Sequence, residues 1–178
     1  MKRVLLLFPV LVWLTAGGVM AGDREAAPLR VTGQRVMVPI YSHVFMGDRL
    51  TPFHVAATAS IRNTDPDHPI LILAADYHGS QGRKIRSFLS EARRLRPLAS
   101  LEFNIPESDT TGGYGASFLI RWSAATPVSP PLIESVMIGT RGQQGISFTS
   151  RGVALPPASS DETSESPPLK PSVPFPSP

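Results

Sequence analysis

The chain has 178 residues, which bounds it at about one domain. Lys and Arg number 17 against 14 Asp and Glu, a formal charge of +3, too slight to argue for nucleic acid, which calls for a clustered basic face. Cysteine is absent, which excludes disulfides, thiol nucleophiles, cysteine zinc sites and acylation at an N-terminal cysteine; 19 prolines and 14 glycines favour turns and loops over a helical bundle.

Residues 1–21 read as an export signal. Lys2 and Arg3 form a positive start, residues 4–16 are apolar apart from Pro9 and Thr15, and Val19-Met20-Ala21 places small or modest side chains before a cut at Gly22. The apolar run of 13 residues falls short of the roughly 20 that a membrane span needs. Export to the periplasm or exterior is the expectation, with residues 22–30 as a linker to the body.

Residues 31–153 carry the patterns of an all-β body. Val36, Val38 and Ile40 share one face of a first strand. Phe53 to Arg62 alternates, with Val55, Ala57, Ala59 and Ile61 on one side and His54, Thr58, Ser60 and Arg62 on the other. Asn63-Thr64-Asp65-Pro66-Asp67 stops that strand, because Asn and Asp side chains bond nearby backbone and proline fixes the turn. An apolar run over residues 69–78 reads as a buried strand, Ser80-Gln81-Gly82 as a hairpin turn, and residues 84–89 as a short strand. Residues 87–95 admit a helical turn as the alternative. Residues 97–105 and 114–124 read as strands, the latter aligning Phe118, Ile120 and Trp122 toward a core. Residues 127–131 break it with prolines. Residues 132–139 and 146–151 form two further strands around a turn at 142–145.

That pattern predicts seven to eight short strands without long amphipathic helices, hence without parallel crossovers. The fold class expected is an antiparallel β-sandwich, immunoglobulin-like or fibronectin-III-like. Two late strands joined by a short proline loop predict a largely exposed ion pair between Arg121 and Glu134. Residues 154–178 hold 8 of the 19 prolines and the run SSDETSES, with too little apolar surface to offset ordering entropy, so a disordered tail is expected there.

Four segments together resemble a bacterial family of small exported proteins, many of them lipoproteins, catalogued only as a domain of unknown function. They are VPIYSHVFMGDR (residues 38–49), SIRNTDP (60–66), ESDTTGGYGASF (107–118) and SVMIGTRGQQGISFTSRG (135–152). The resemblance implies an envelope protein with one β-rich domain and carries over no activity. The lipidated cysteine of the lipoprotein members is missing, which excludes a lipid anchor.

No catalytic or metal constellation emerges. His43, His54, His68 and His78 sit on different elements without short spacing, whereas metal sites need converging ligands. Asp65 and Asp67 flank Pro66 without the closing Glu of a calcium loop. Asp109-Thr110-Thr111-Gly112 has no second carboxylate copy with which to share a proton. Gly142-Gln143-Gln144-Gly145 lacks the Lys and helix of a phosphate loop. Ser147 and Ser150 lack a nucleophile elbow.

On residue type and resemblance, the candidate binding surface is Tyr41, His43, Asp48, Asp109, Gln143, Gln144 and Arg151, with Tyr and Arg as typical interface anchors. The leading expectation is a non-enzymatic domain that binds an envelope protein or envelope polymer, without cofactor or metal. One rival is a small-molecule or metal-binding protein in which the histidines or Asp65 and Asp67 converge. A weaker one is an enzyme with His43 or Asp109 as base.

Overall fold

A computed structural model describes residues 29–157. The export signal, most of the linker and the tail beyond Pro157 lie outside the described residues. Within them the chain forms twelve strands: β1 (Val31–Ile40), β2 (His43–Met46), β3 (Thr51–His54), β4 (Ala56–Arg62), β5 (Ile70–His78), β6 (Lys84–Ser87), β7 (Arg93–Leu95), β8 (Ser100–Ile105), β9 (Ala116–Val128), β10 (Leu132–Arg141), β11 (Gln144–Arg151) and β12 (Val153–Leu155). There is no helix among the described residues, and every strand pairing is antiparallel.

The larger sheet has the order β12-β1-β9-β5-β6, with β7 pairing a second stretch of β5. The smaller has the order β11-β10-β4-β8, and β2 and β3 form a separate hairpin. The alternation read from the sequence sorts correctly. Val36, Val38 and Ile40 lie opposite Ile120, Phe118 and Ala116, and all six are buried. Ala57, Ala59 and Ile61 of β4 are buried in the same core as Trp122, which is 1% exposed. The two inner faces therefore bury one continuous apolar layer, and Ser135 Oγ on the smaller sheet donates to Pro39 O on the larger at 2.6 Å.

The expected seven to eight strands are seven long ones plus five short ones of three or four residues. Of the short ones only β6 matches a predicted strand, at 84–89; the others lack room for a legible alternation. Residues 87–95 form no helical turn; their C-terminal part is β7, held at the edge by Leu95 opposite Ile70. β9 runs through Pro127 to Val128. Its register against β1 shifts there, between the pairs Gly33–Ser123 and Val31–Val128, so Pro127 lies where the ladder is already interrupted and its missing N–H costs no regular hydrogen bond. Ser60, placed with the outward residues of its strand, is buried. The sheet also extends past the expected boundary of the tail, because Ala154 and Leu155 pair with Val36 and Arg35.

The expected Arg121–Glu134 pair does not form. β9 and β10 belong to different sheets, so the link between them crosses the core instead of turning a hairpin. Glu134 instead meets Arg62 of neighbouring β4, at 3.5 Å.

Candidate functional site

One end of the molecule is built by β1 running out at Ile40, the β2–β3 hairpin, the β5–β6 turn and the loop before β9. Ser42, buried, ties three of these together. Its N–H and Oγ donate to Gly113 O at 3.3 and 2.8 Å, and its carbonyl accepts from Val55 N at 3.1 Å. Ser80 adds a second clasp, with N–H and Oγ each donating to Gly112 O at 2.9 Å while Oγ accepts from Gly115 N at 2.9 Å. Gly112 is required by close approach: a Cβ there would meet Tyr77 Cζ at 2.6 Å and Ala116 Cβ at 2.7 Å. Tyr77 itself is fully buried and its hydroxyl has no hydrogen-bond partner among the described residues; burial, reinforced by the charge of Asp109, raises its pKa.

On this base stands a platform of rings. In the β2–β3 hairpin, buried Phe53 anchors one side, and His43 and Phe45 lie on the other, opposite His54 and Pro52. Tyr41 packs edge-on against Tyr114 at 5.2 Å and Phe148 at 5.6 Å. Phe45 stacks on Tyr114 at 5.8 Å, and His43 meets Phe45 at 5.0 Å and His54 at 6.0 Å. Phe45 and Tyr114 are each 50% exposed. Offset and edge-to-face arrangements at these spacings are the favoured geometries of aromatic pairs, so the platform is held by its own ring contacts as well as by the backbone. Beside it, a cavity of about 350 Å³ is lined by Thr51, Pro52, His54, Glu107, Thr140 and Arg141.

The predicted surface residues are brought together only in part. Tyr41 and His43 belong to the platform. Asp48 lies at the exposed tip of the β2–β3 hairpin, and Gln143 and Gln144 at the tip of the β10–β11 hairpin, whose Thr140 and Arg141 meet the β2–β3 hairpin across the cavity. That tip is a two-residue turn, Gly142-Gln143, with Gly142 at φ +61°, as a type II′ hairpin demands of its first position. Asp109 sits in the loop before β9, ion-paired to Arg86 at 3.0 Å. Burial alone would raise its pKa, but hydrogen bonds from Thr111 and the Arg86 charge outweigh this and hold the carboxyl below the ordinary range. A carboxylate so satisfied is a poor base at neutral pH.

Arg151 does not belong to this end. It pairs with Glu134 at the far end of β11, about 23 Å of strand from Gln144. The platform residues that the predicted surface left out are Phe45, His54, Tyr114 and Phe148. Tyr114 had a legible signal, an aromatic side chain set in the glycine run Gly112-Gly113-Tyr114-Gly115; His54 and Phe148 reach the platform only through strand pairing.

The opposite end has a different chemistry. Asn63 Nδ2 donates to the carbonyls of His68 (2.8 Å), Arg96 (3.1 Å) and Leu95 (3.4 Å). Its Oδ1 accepts from Asp65 N at 3.1 Å. Fully buried Asp65 accepts at Oδ1 from Asp67 N (3.0 Å), His68 N (2.9 Å) and His68 Nδ1 (3.1 Å), and at Oδ2 from Ser129 N (3.3 Å), with Arg30 at 3.7 Å. The Asp67 amide leads the causes that drive its pKa far below the ordinary carboxylate value, against the opposing effect of burial. Asp65, Asp67 and His68 thus converge, as the metal-binding rival requires. Asp65, however, already accepts four N–H donors, which makes it the cap of the 63–68 turn; its lone pairs are committed to the chain. At the ring platform His43 and His54 also converge, across a strand pair, but two imidazoles fall short of the three or four protein ligands that hold a metal.

The class that emerges is an all-β, two-sheet protein with an aromatic platform at one end and a buried polar turn at the other. The chain belongs to the family described as a protein of unknown function (DUF3124), whose model matches residues 33–155. No curated protein matches it. Among solved structures, the "Crystal Structure of Thermotoga maritima 1070" aligns at 12% identity over 67% of this chain and 92% of that chain, with a TM-score of 0.41, too low to carry any argument.

Proposed function

We propose that this protein is an exported envelope component that binds a protein or an envelope polymer through the ring platform, and that it acts by binding, without turnover. The observation that supports this most is the cluster of half-exposed rings, Phe45 stacked on Tyr114 and braced by Tyr41 and His43, on a base clasped by Ser42 and Ser80. Pre-ordered aromatic side chains surrounded by polar groups are the usual anchors of recognition surfaces. Asp48, Glu107, Arg141, Gln143 and Gln144 supply such a polar rim. The expected base residues speak against catalysis: Asp109 is tied to Arg86 and Thr111, and His43 is packed into the platform.

Export rests on the charged start, apolar run and small-residue cut in residues 1–21. The scaffold is in our reading immunoglobulin-like or fibronectin-III-like, supported by two antiparallel sheets between which the chain passes repeatedly. The test is retention of the full chain on isolated cell-wall polymer and on immobilised envelope proteins. Retention on either that is abolished by Phe45→Ala or Tyr114→Ala, in variants that remain folded at the temperature of the assay, supports the reading. Retention indifferent to both substitutions contradicts it.

A further inference from the structure

The outer face of the larger sheet takes no part in the platform. β1 and β9 send Val36, Val38, Phe118 and Ile120 into the core, so alternation sends Arg35, Met37, Leu119 and Arg121 outward. Arg35 and Arg121 are direct cross-strand partners. Like charges placed opposite each other destabilise a strand pair, so this pairing calls for an anion. Among the described residues neither guanidinium has a carboxylate partner; the ion pairs are Arg30–Asp65, Arg62–Glu134, His68–Asp65, Lys84–Asp76 and Arg86–Asp109. Between the two arginines opens a cavity of about 460 Å³, with Leu73, at the bulge of β5, among its apolar walls.

The chain itself leaves the sheet along this cavity. Leu155 of β12 is the cross-strand partner of Arg35, and Leu155, Pro156 and Pro157 all line the opening. The sequence that follows is Ala158-Ser159-Ser160-Asp161-Glu162-Thr163-Ser164-Glu165, with three carboxylates and no cation before Lys170. Four residues from Pro157 to Asp161 span at most about 14 Å. Neighbouring strands are about 4.8 Å apart, so Arg121 is about 10 Å across the sheet from Leu155. A tether this short would keep the acidic run within reach of the arginines, at an effective concentration in the millimolar range.

We infer that residues 161–165 dock, in the same molecule, on the Arg35–Arg121 cleft, so that the chain's own acidic segment caps the outer face of the larger sheet. The segment neutralises the opposed guanidiniums and covers Met37 and Val153, exposed apolar residues of that face.

The absence of cysteine makes the test direct, since Thr163→Cys is then a unique attachment point for a nitroxide on the full chain. The expected result is selective broadening of the backbone amides of residues 34–37 and 119–122, with the β10 and β11 amides sharp. Raising the salt from about 0.1 to 1 M, which shortens the screening length from about 10 to 3 Å, should restore the lost intensity, as should Arg35→Gln with Arg121→Gln. Mixing labelled chain with isotopically enriched, unlabelled chain separates docking in the same molecule from docking between copies. Broadening spread over both sheets, broadening that survives both salt and the double substitution, or broadening seen only between copies would each overturn the inference.

Discussion

At one end of the molecule Asn63, Asp65 and His68 turn their polar atoms into the fold and satisfy one another and the backbone. At the other, Phe45 and Tyr114 leave half their surface to solvent, braced by partly buried Tyr41 and His43, on a base clasped by Ser42 and Ser80. Both ends come from segments that carry the family resemblance, SIRNTDP at the first and VPIYSHVFMGDR with ESDTTGGYGASF at the second. A shared motif can therefore report either a structural demand or an exposed surface, and the destination of its hydrogen bonds tells which. The turn end commits its side chains to the chain, whereas the platform leaves half of Phe45 and half of Tyr114 uncovered, the surface our proposed binding role uses.

The largest expected effect lies in the core that both ends share. Trp122→Ala should cost about 3–5 kcal/mol in denaturant unfolding, since it empties a fully buried aromatic site. Both ends should weaken together; an effect confined to one end would show that the two sheets do not share a single core.

Next in size is the turn end. Asn63→Ala strips the carbonyls of His68, Leu95 and Arg96 of their donor in a buried setting and should cost about 1–3 kcal/mol. Gly112→Ala is the corresponding test under the platform, where overpacking against Tyr77 and Ala116 should cost a similar amount, about 1–3 kcal/mol. Equal thermal shifts from these two variants would show that both ends rest on rigid bases and differ only in what they expose.

Acid should separate the ends further. Asp65 has its folded pKa far below the ordinary value of 3.8, so protons bind the unfolded state first and the stabilisation is fully present above that value. It is lost as the pH falls below 3.8 toward the folded value, which places the effect in strongly acid solution. Asp76 and Asp109, at the platform end, are lowered less, so that end should lose less stability over the same range. Asp65→Asn should lower stability at neutral pH and flatten the acid limb of a melting-temperature profile. An unchanged acid limb would mean that the turn end does not depend on its ionised carboxylate.

The seven long strands were legible through period-two alternation or, in β5, a continuous apolar run, both of which mark a face that packs on a core. Of the five short strands only β6 was read, as 84–89; the others hold too few repeats of any period in three or four residues. The link from β9 to β10 misled for a definite reason: a short proline loop serves a hairpin or a crossover between sheets equally well, and nothing in residues 126–131 distinguishes them. Of the site, Tyr41 and His43 were legible as an aromatic and polar patch. His54, Phe148 and the misplacement of Arg151 were not, because register alone brings His54 opposite His43 and carries Arg151 to the far end of β11.

The smallest expected effect on stability carries the greatest weight for function. Phe45→Ala and Tyr114→Ala remove half-exposed rings together with their ring contacts and should cost about 0.5–1.5 kcal/mol. The decisive measurement is retention on isolated envelope material of Tyr114→Ala beside Asn63→Ala, each with its melting temperature. The account predicts that both variants stay folded below their transitions, where Tyr114→Ala is no longer retained while Asn63→Ala, with the larger loss of melting temperature, is retained in full. Retention of Tyr114→Ala at the parental level would contradict the assignment of the ring platform as the binding face.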